Sequence, residues 1–142
     1  MHDLDERTEA LLEKPCLVID GLPERVPEHS AGQYASLEET FHTAELFAAF
    51  TDILVKLNCY YDLHVNCRGE WMTNPSAAVL SAWMNEVFQT QGRILILTAP
   101  QEALLALNGD DNHMTVYGPD ETLLGRIRKL AASKGLFVWE GR

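Results

Sequence analysis

The sequence has 142 residues, of which 46% are hydrophobic and 23% are charged, so its composition argues against an intrinsically disordered chain. The length is enough for one domain with a sizeable core. The net charge is −10, and residues 1–57 hold 12 acidic and 4 basic residues. Such an acidic surface repels phosphate backbones and anionic lipids, so we expect neither a nucleic acid nor a membrane as a partner.

The first part of the chain predicts a short helix, a strand and a loop. Residues 1–14 contain a sparse leucine stripe and favour a short helix. Cys16–Asp20 is an apolar run after a proline, which is typical of a strand. Residues 21–34 contain two glycines and two prolines among charged residues, and they predict an irregular connection.

A long helix and a strand follow this loop. Ser36 and Glu39 match a capping box, and apolar residues then recur at helical spacing, so one helix is predicted over residues 36–57. Its length would cover one face of a small sheet. Residues 59–67 then alternate between apolar and polar side chains, which predicts a strand.

The next helix is predicted from its end signals. Asn74 is an N-cap candidate, Pro75 fits the first helical turn, and Gly92 is a stop signal. The apolar run that follows Gly92 predicts a strand at 93–98.

The last third of the chain reads strand, helix, strand. Residues 101–107 are ambiguous between a helical turn and a strand, and the turn-forming residues 108–112 favour a hairpin into a strand at 113–117. A helix with acidic residues in its first turn and basic residues in its later turns follows, and Gly135 ends it. The final strand is predicted at 136–140.

The order of these elements indicates an α+β fold in a single domain. Residues 59–98 and 113–140 are compatible with a ferredoxin-like split β-α-β sandwich, preceded by an extra strand and a long helix. The alternative is a related mixed sheet with a three-strand meander at 93–98, 103–107 and 113–117. We expect one domain over 1–142, with an amino-terminal arm at 1–35 and a main body at 36–142.

Sequence motifs for catalysis, cofactors or metals are absent. The chain has no glycine-rich phosphate loop, HExxH, CxxC, GxSxG or EF-hand pattern. Cys59 and Cys67 lie on one face of the predicted strand and His64 on the other, so these ligands cannot converge on one ion. We therefore expect no metal and no cofactor. With Cys16, the cysteines are an odd number, which favours free thiols.

The strongest candidate site is the polar face of the predicted strands. Asp62 and His64 point to the same side, and a nearby carboxylate can orient an imidazole ring. In a ferredoxin-like sheet the strand at 113–117 lies beside the strand at 59–67. The predicted ligand-binding residues are therefore Tyr60, Asp62, His64, His113, Thr115 and Tyr117. The same pattern is typical of the wet side of a half-exposed sheet.

The function predicted from these patterns is binding without catalysis. We expect a small acidic intracellular module that contacts a protein partner or a second copy of itself, with Trp71 and Trp139 as candidate interface residues. The alternative is a small-molecule-binding domain or an acid/base enzyme that uses Asp62, His64 and His113. No secretory signal or bilayer-spanning apolar run is visible, so a cytoplasmic location is expected.

Overall fold

The computed structural model describes residues 2–141, and it confirms the predicted α+β class with five α-helices and seven strands in that range. The elements are α1 (His2–Leu12), β1 (Cys16–Asp20), α2 (Ala31–Phe41), α3 (Ala44–Leu57), β2 (Asp62–Cys67), β3 (Glu70–Thr73), α4 (Ala77–Thr90), β4 (Arg93–Ala99), β5 (Leu104–Asn108), β6 (Met114–Tyr117), α5 (Glu121–Ala132) and β7 (Phe137–Glu140). A 3₁₀ turn at Glu28–Ser30 leads into α2. None of these helices is long and apolar enough to cross a membrane.

All seven strands belong to one antiparallel sheet with the order β3-β2-β4-β5-β6-β1-β7. Consecutive strands β4, β5 and β6 form the meander that was the alternative prediction. The strand β1 pairs with β6 on one side and with β7 on the other.

The pairing expected for a ferredoxin-like sandwich is wrong for this sheet. That arrangement would place β2 beside β6, whereas β4 and β5 lie between them. The reason lies in the segment that was ambiguous in the sequence. Leu104–Asn108 forms a strand, and this strand takes the position next to β6.

One face of the sheet, the helical face, carries the main core. Helices α3, α4 and α5 bury their apolar stripes against alternate residues of the strands. The buried residues on this face of the central strands are Leu63, Val65, Cys67, Ile94, Ile96, Leu105, Leu107, Met114 and Val116. Burying a large apolar side chain contributes roughly 1.5–3 kcal/mol, so this layer is the main source of stability.

The opposite face is covered by α1 over the middle of the sheet. Leu11 of α1 packs against Leu97 of β4 and Leu104 of β5. The Trp71 indole N–H on β3 donates to Asp5 Oδ1 at 3.0 Å, which fixes α1 at the β3 side. The polar face is therefore covered in part by α1, and not by the helix predicted at 36–57.

The helix predicted at 36–57 is two helices. Helix α2 ends at Phe41, and α3 begins after Thr43, whose backbone is extended and whose hydroxyl accepts from the Leu46 N–H at 3.2 Å. Thr43 is thus the N-cap of α3. The capping box predicted at Ser36 is wrong, because Ser36 lies inside α2. The break at residues 42–43 lets α2 turn away from α3.

The segment around Asn74 also differs from its prediction. Ser76, not Asn74, caps α4 by accepting from the Val79 N–H at 3.2 Å. Asn74 has a left-handed backbone, with φ of 49°, and its Oδ1 accepts from the Leu63 N–H at 2.9 Å. Asn74 therefore connects the two strands of the β2–β3 hairpin at the end opposite their turn. This hairpin was not predicted from the sequence.

Gly109 controls how the β5–β6 turn packs on α4, and it provides a test of this packing. A Cβ at Gly109 would overlap the carbonyl oxygen of Val87 and lie 2.7 Å from the Cα of Gln91. Because these are backbone atoms, Gly109→Ala should lower the free energy of unfolding by about 1–3 kcal/mol. Urea denaturation measures this change.

The matched control is Gly125→Ala in α5, where an added Cβ meets open space. Since alanine is favoured over glycine inside a helix, this variant should be stabilised by roughly 0.5–1 kcal/mol. Equal stability of Gly109→Ala and the wild type would show that the turn does not pack as described.

Candidate functional site

The structure does not bring the six predicted ligand-binding residues together. Asp62 and His64 lie on β2, whereas Thr115 and Tyr117 lie on β6, with His113 just before it. Three strand spacings separate β2 from β6, or roughly 14 Å at about 4.8 Å per strand. Helix α1 packs on β4 and β5 between the two groups. The expected side-by-side placement of these strands is therefore wrong, and ligand binding by the six residues stays a prediction.

Asp62 and His64 have local structural partners instead of each other. Asp62 Oδ1 accepts from Asn74 Nδ2 at 3.0 Å. The His64 Nδ1 atom hydrogen-bonds Thr73 Oγ1 at 2.8 Å, across the β2–β3 hairpin. The carboxylate of Asp62 thus does not orient the His64 ring.

Tyr60 lies away from the polar face. Strand β2 begins at Asp62, so Cys59 and Tyr60 are in the turn after α3, and both are exposed. The Tyr60 ring, 60% exposed, lies 4.6 Å from the Arg126 guanidinium carbon, measured to the ring centroid. Tyr60 therefore contributes to contacts between the α3 end and α5.

The two candidate interface tryptophans are both half-buried. Trp71 lies on edge strand β3 and is held to α1 through Asp5. Trp139 lies on edge strand β7, and its indole nitrogen is buried without a hydrogen-bond partner among residues 2–141. Their role in an interface stays a prediction. Across the same residues, no group of three or more His, Cys, Asp or Glu side chains is placed to hold a metal ion.

A candidate site that was not predicted from the sequence lies at the end of β1. Asp20 is the last residue of this strand and is only 8% exposed. Its Oδ1 accepts from the Gly21 N–H at 2.7 Å. No salt bridge to Asp20 occurs within the part of the chain that the structure describes. A nearly buried carboxyl group without an ion-pair partner is unusual, because burying an unpaired charge is costly.

A pocket opens between Asp20 and α2, and we call it the α2 pocket. It is lined by Asp20, Gly21, Leu22, Tyr34, Leu37, Glu38, Phe41 and Asn112. Its cavity volume is about 80 Å³. That volume has room for a few water molecules or a small, compact ligand.

Helix α2 forms the roof of the pocket through residues on one helical face. Tyr34, Glu38 and Phe41 are spaced by four and three residues, so they project to the same side. The Phe41 ring lies so close to Gly21 that a Cβ there would overlap it. A side chain larger than glycine at position 21 would therefore displace the Phe41 ring.

Asn112 ties the carboxyl end of α2 to the β5–β6 turn. Its Nδ2 donates to the Glu38 carbonyl oxygen at 3.0 Å, and its Oδ1 hydrogen-bonds His42 Nδ1 at 2.7 Å. Asn112 is itself buried. These two bonds fix the distance between the roof of the α2 pocket and the sheet.

The electrostatics of the α2 pocket are negative. Burial, together with the charges of Glu38, Asp20 and Asp111, raises the pKa of Tyr34 to about 12. The Tyr34 hydroxyl is therefore protonated at neutral pH. Three separate carboxylates act on this one group, so negative charge is concentrated around the pocket.

Burial and the neighbouring polar groups shift the pKa of Asp20 in opposite directions. Burial raises the pKa of Asp20 above its ordinary value of 3.8. The Gly21 N–H, the charge of His113 and the Leu22 N–H oppose this pKa shift, as does the indole of Trp139. That indole N–H does not reach hydrogen-bond geometry, so it acts only as a nearby dipole. The effect of burial is larger than their combined effect, so the pKa of Asp20 stays raised.

Comparisons with known protein families, with curated proteins and with solved structures found no match to this chain. The sequence did contain a signal for the α2 pocket. Asp20 is the one charged residue in an otherwise apolar strand, and Tyr34 and Glu38 have helical spacing. The loop predicted at 21–34 hid this signal, because α2 begins inside that range at Ala31.

The raised pKa of Asp20 predicts a pH-dependent stability. Because its pKa is higher in the folded than in the unfolded state, the folded chain binds more protons, and this contribution to stability is lost as the pH rises. Asp20→Asn keeps an acceptor for the Gly21 N–H and cannot ionise. Its free energy of unfolding should therefore improve relative to the wild type as the pH rises from about 4 towards neutral.

The control is Asp110→Asn, which makes the same change at an exposed position in the β5–β6 turn. Thermal or urea denaturation across this pH range measures all three proteins. If the difference between Asp20→Asn and the wild type stayed constant with pH, Asp20 would not be held in the environment described.

Proposed function

We propose that this protein is a non-catalytic binding module whose ligand is a small molecule held in the α2 pocket. The observation that carries the proposal is the Asp20 carboxyl group, 8% exposed and outside any salt bridge among residues 2–141, on the wall of a cavity. A carboxyl with a perturbed pKa in a cleft is typical of functional sites.

The lining of the pocket supports binding of a small ligand. Leu22, Leu37 and Phe41 supply apolar contact area. Asp20 and Glu38 supply charge, while Tyr34 and Asn112 add hydrogen-bonding groups. Ligand pockets generally combine mostly apolar walls with a few converging polar groups, and this pocket has that composition at a small size.

The same lining favours binding over catalysis. The eight lining residues include no serine, cysteine or lysine. His113 does not line the pocket, and His42 is hydrogen-bonded to Asn112. Tyr34, with a pKa of about 12, is a hydrogen-bond donor at neutral pH and not a base.

The roof of the pocket is suited to admitting a ligand. Helix α2 has no fully buried residue, whereas α3 buries seven. An element with few buried contacts opens at a low free-energy cost compared with the core. Local opening of α2 would give a ligand access without disturbing the sheet.

A fragment screen by ¹H–¹⁵N NMR tests this proposal. Bound fragments should shift the amide signals of Gly21, Leu22 and Asn112, which lie in different parts of the pocket wall. Leu37→Trp places a larger side chain on the pocket rim, at a position that is already 40% exposed. Its affinity for those fragments should fall about tenfold or more, because a bulky group competes for the cavity.

Ser36→Trp introduces the same side chain on the same helix at an exposed residue that does not line the pocket. This variant should bind the fragments as the wild type does. A screen that yields no fragment acting on the pocket amides would contradict the proposed function, as would equal losses in Leu37→Trp and Ser36→Trp.

A further inference from the structure

We propose that the ligand of the α2 pocket is a small organic cation, namely a primary ammonium group on a compact apolar body. This inference rests on the proposed function, since it names the class of ligand for the same pocket. The supporting observation is that the nearly buried Asp20, the second acidic residue Glu38 and several apolar side chains line one cavity.

The charge of the pocket favours a cation. Asp20 and Glu38 both line the cavity, and Asp111 lies close enough for its charge to act on Tyr34. An anionic ligand would face these carboxylates at short range, where the low local dielectric strengthens repulsion. A cation would supply the pairing that Asp20 lacks, and a buried carboxylate is stable when it is paired.

The neighbouring basic side chains do not occupy this position. His113 lowers the pKa of Asp20 through its charge, yet it does not line the cavity and forms no ion pair with Asp20 within the described chain. Arg25 lines an adjoining depression that Asp20 and Tyr34 also border, but its guanidinium donates to the Gly141 carbonyl oxygen and forms no ion pair with Asp20. The space beside Asp20 in the α2 pocket is therefore open to an added cation.

The donor set favours an ammonium group over a metal ion. Divalent calcium takes six to eight oxygen ligands and magnesium six, often including several waters. The α2 pocket offers two carboxylates among walls formed by Leu22, Leu37 and Phe41. An ammonium group needs only about three acceptors, and the carbon body attached to it would cover the apolar walls.

The size of the cavity limits the rest of the ligand. About 80 Å³ restricts the ligand to a compact body, since ligand pockets are commonly several times larger. Longer or multiply charged amines would extend past the roof formed by α2. The inference therefore concerns monoamines with a short apolar or single-ring substituent.

Three probes of matched shape test the charge requirement: benzylamine, benzyl alcohol and benzoate. Each is titrated into the ¹⁵N-labelled full chain at neutral pH and physiological ionic strength, and the amides of Gly21, Leu22 and Asn112 report binding. Benzylamine should bind about tenfold or more tightly than benzyl alcohol, because a hydrogen bond to a charged group is the stronger one. Benzoate should not shift these amides.

Asp20→Asn and Glu39→Gln separate binding in the pocket from general attraction to an acidic protein. Asp20→Asn should weaken benzylamine binding about tenfold or more, since the paired carboxylate is gone. Glu39→Gln removes one charge from the exposed side of α2, away from the pocket lining, and should leave the affinity unchanged.

The outcomes distinguish the ligand class from the proposed function. If benzyl alcohol or benzoate bound at the pocket amides as well as benzylamine did, the cation proposal would be overturned while the pocket stayed a binding site. Equal benzylamine affinity in Asp20→Asn and the wild type would also overturn it. If neither these probes nor a wider set of fragments acted on the pocket, both proposals would fail.

Discussion

The position of β1 between β6 and β7 is the constraint on which the rest of the structure depends. This pairing joins the last strand, β7, to the meander, so β1 has a hydrogen-bonded neighbour on each edge. Asp20 ends the strand, and its side chain is buried beside the α2 pocket, whose walls also include residues of α2 and Asn112. The Gly21 N–H and the charge of His113 replace only part of the lost hydration, because the pKa of Asp20 stays raised.

The segment that follows β1 adds to this charge instead of neutralising it. Helix α2 brings Glu38 to the same cavity, together with the Tyr34 hydroxyl, whose pKa is raised to about 12 by burial and by the neighbouring carboxylates. A fold selected for stability alone would place a basic or an apolar residue there. Local departures from the rules of stability are expected at functional sites, where a ligand supplies the missing interaction. We propose that the α2 pocket is such a site.

The elements predicted correctly are those whose signals are local. The strand at Cys16–Asp20 and the helix α5 follow from apolar spacing and end signals within a few residues. The break between α2 and α3 was missed because the helical spacing continues across it, and only the Thr43 cap marks the boundary. Sheet order is a non-local property, so the sequence offered two arrangements and could not show that β5 separates β4 from β6.

The α2 pocket was not predicted from the sequence for the same reason. His64 and His113 were equally good candidates from the sequence alone. Because β1 pairs with β6, His113 lies near the Asp20 carboxyl group, which has no ion pair among residues 2–141. Tyr34 fell in the predicted loop and Glu38 in the predicted helix, so the sequence did not place them on one face of α2. Asp20 lies beside residues of α2 and beside Asn112, which are distant in the sequence, so no local pattern predicts its burial.

The most direct test of this account is a measurement of the Asp20 pKa by ¹³C NMR titration of its side-chain carboxyl group, first alone and then with saturating benzylamine. The account predicts a midpoint above the ordinary value of 3.8 for the free protein, and a lower midpoint when the ammonium group pairs with the carboxylate. A midpoint at or below 3.8 in the free protein would contradict it, since the carboxyl group would then be hydrated or already paired.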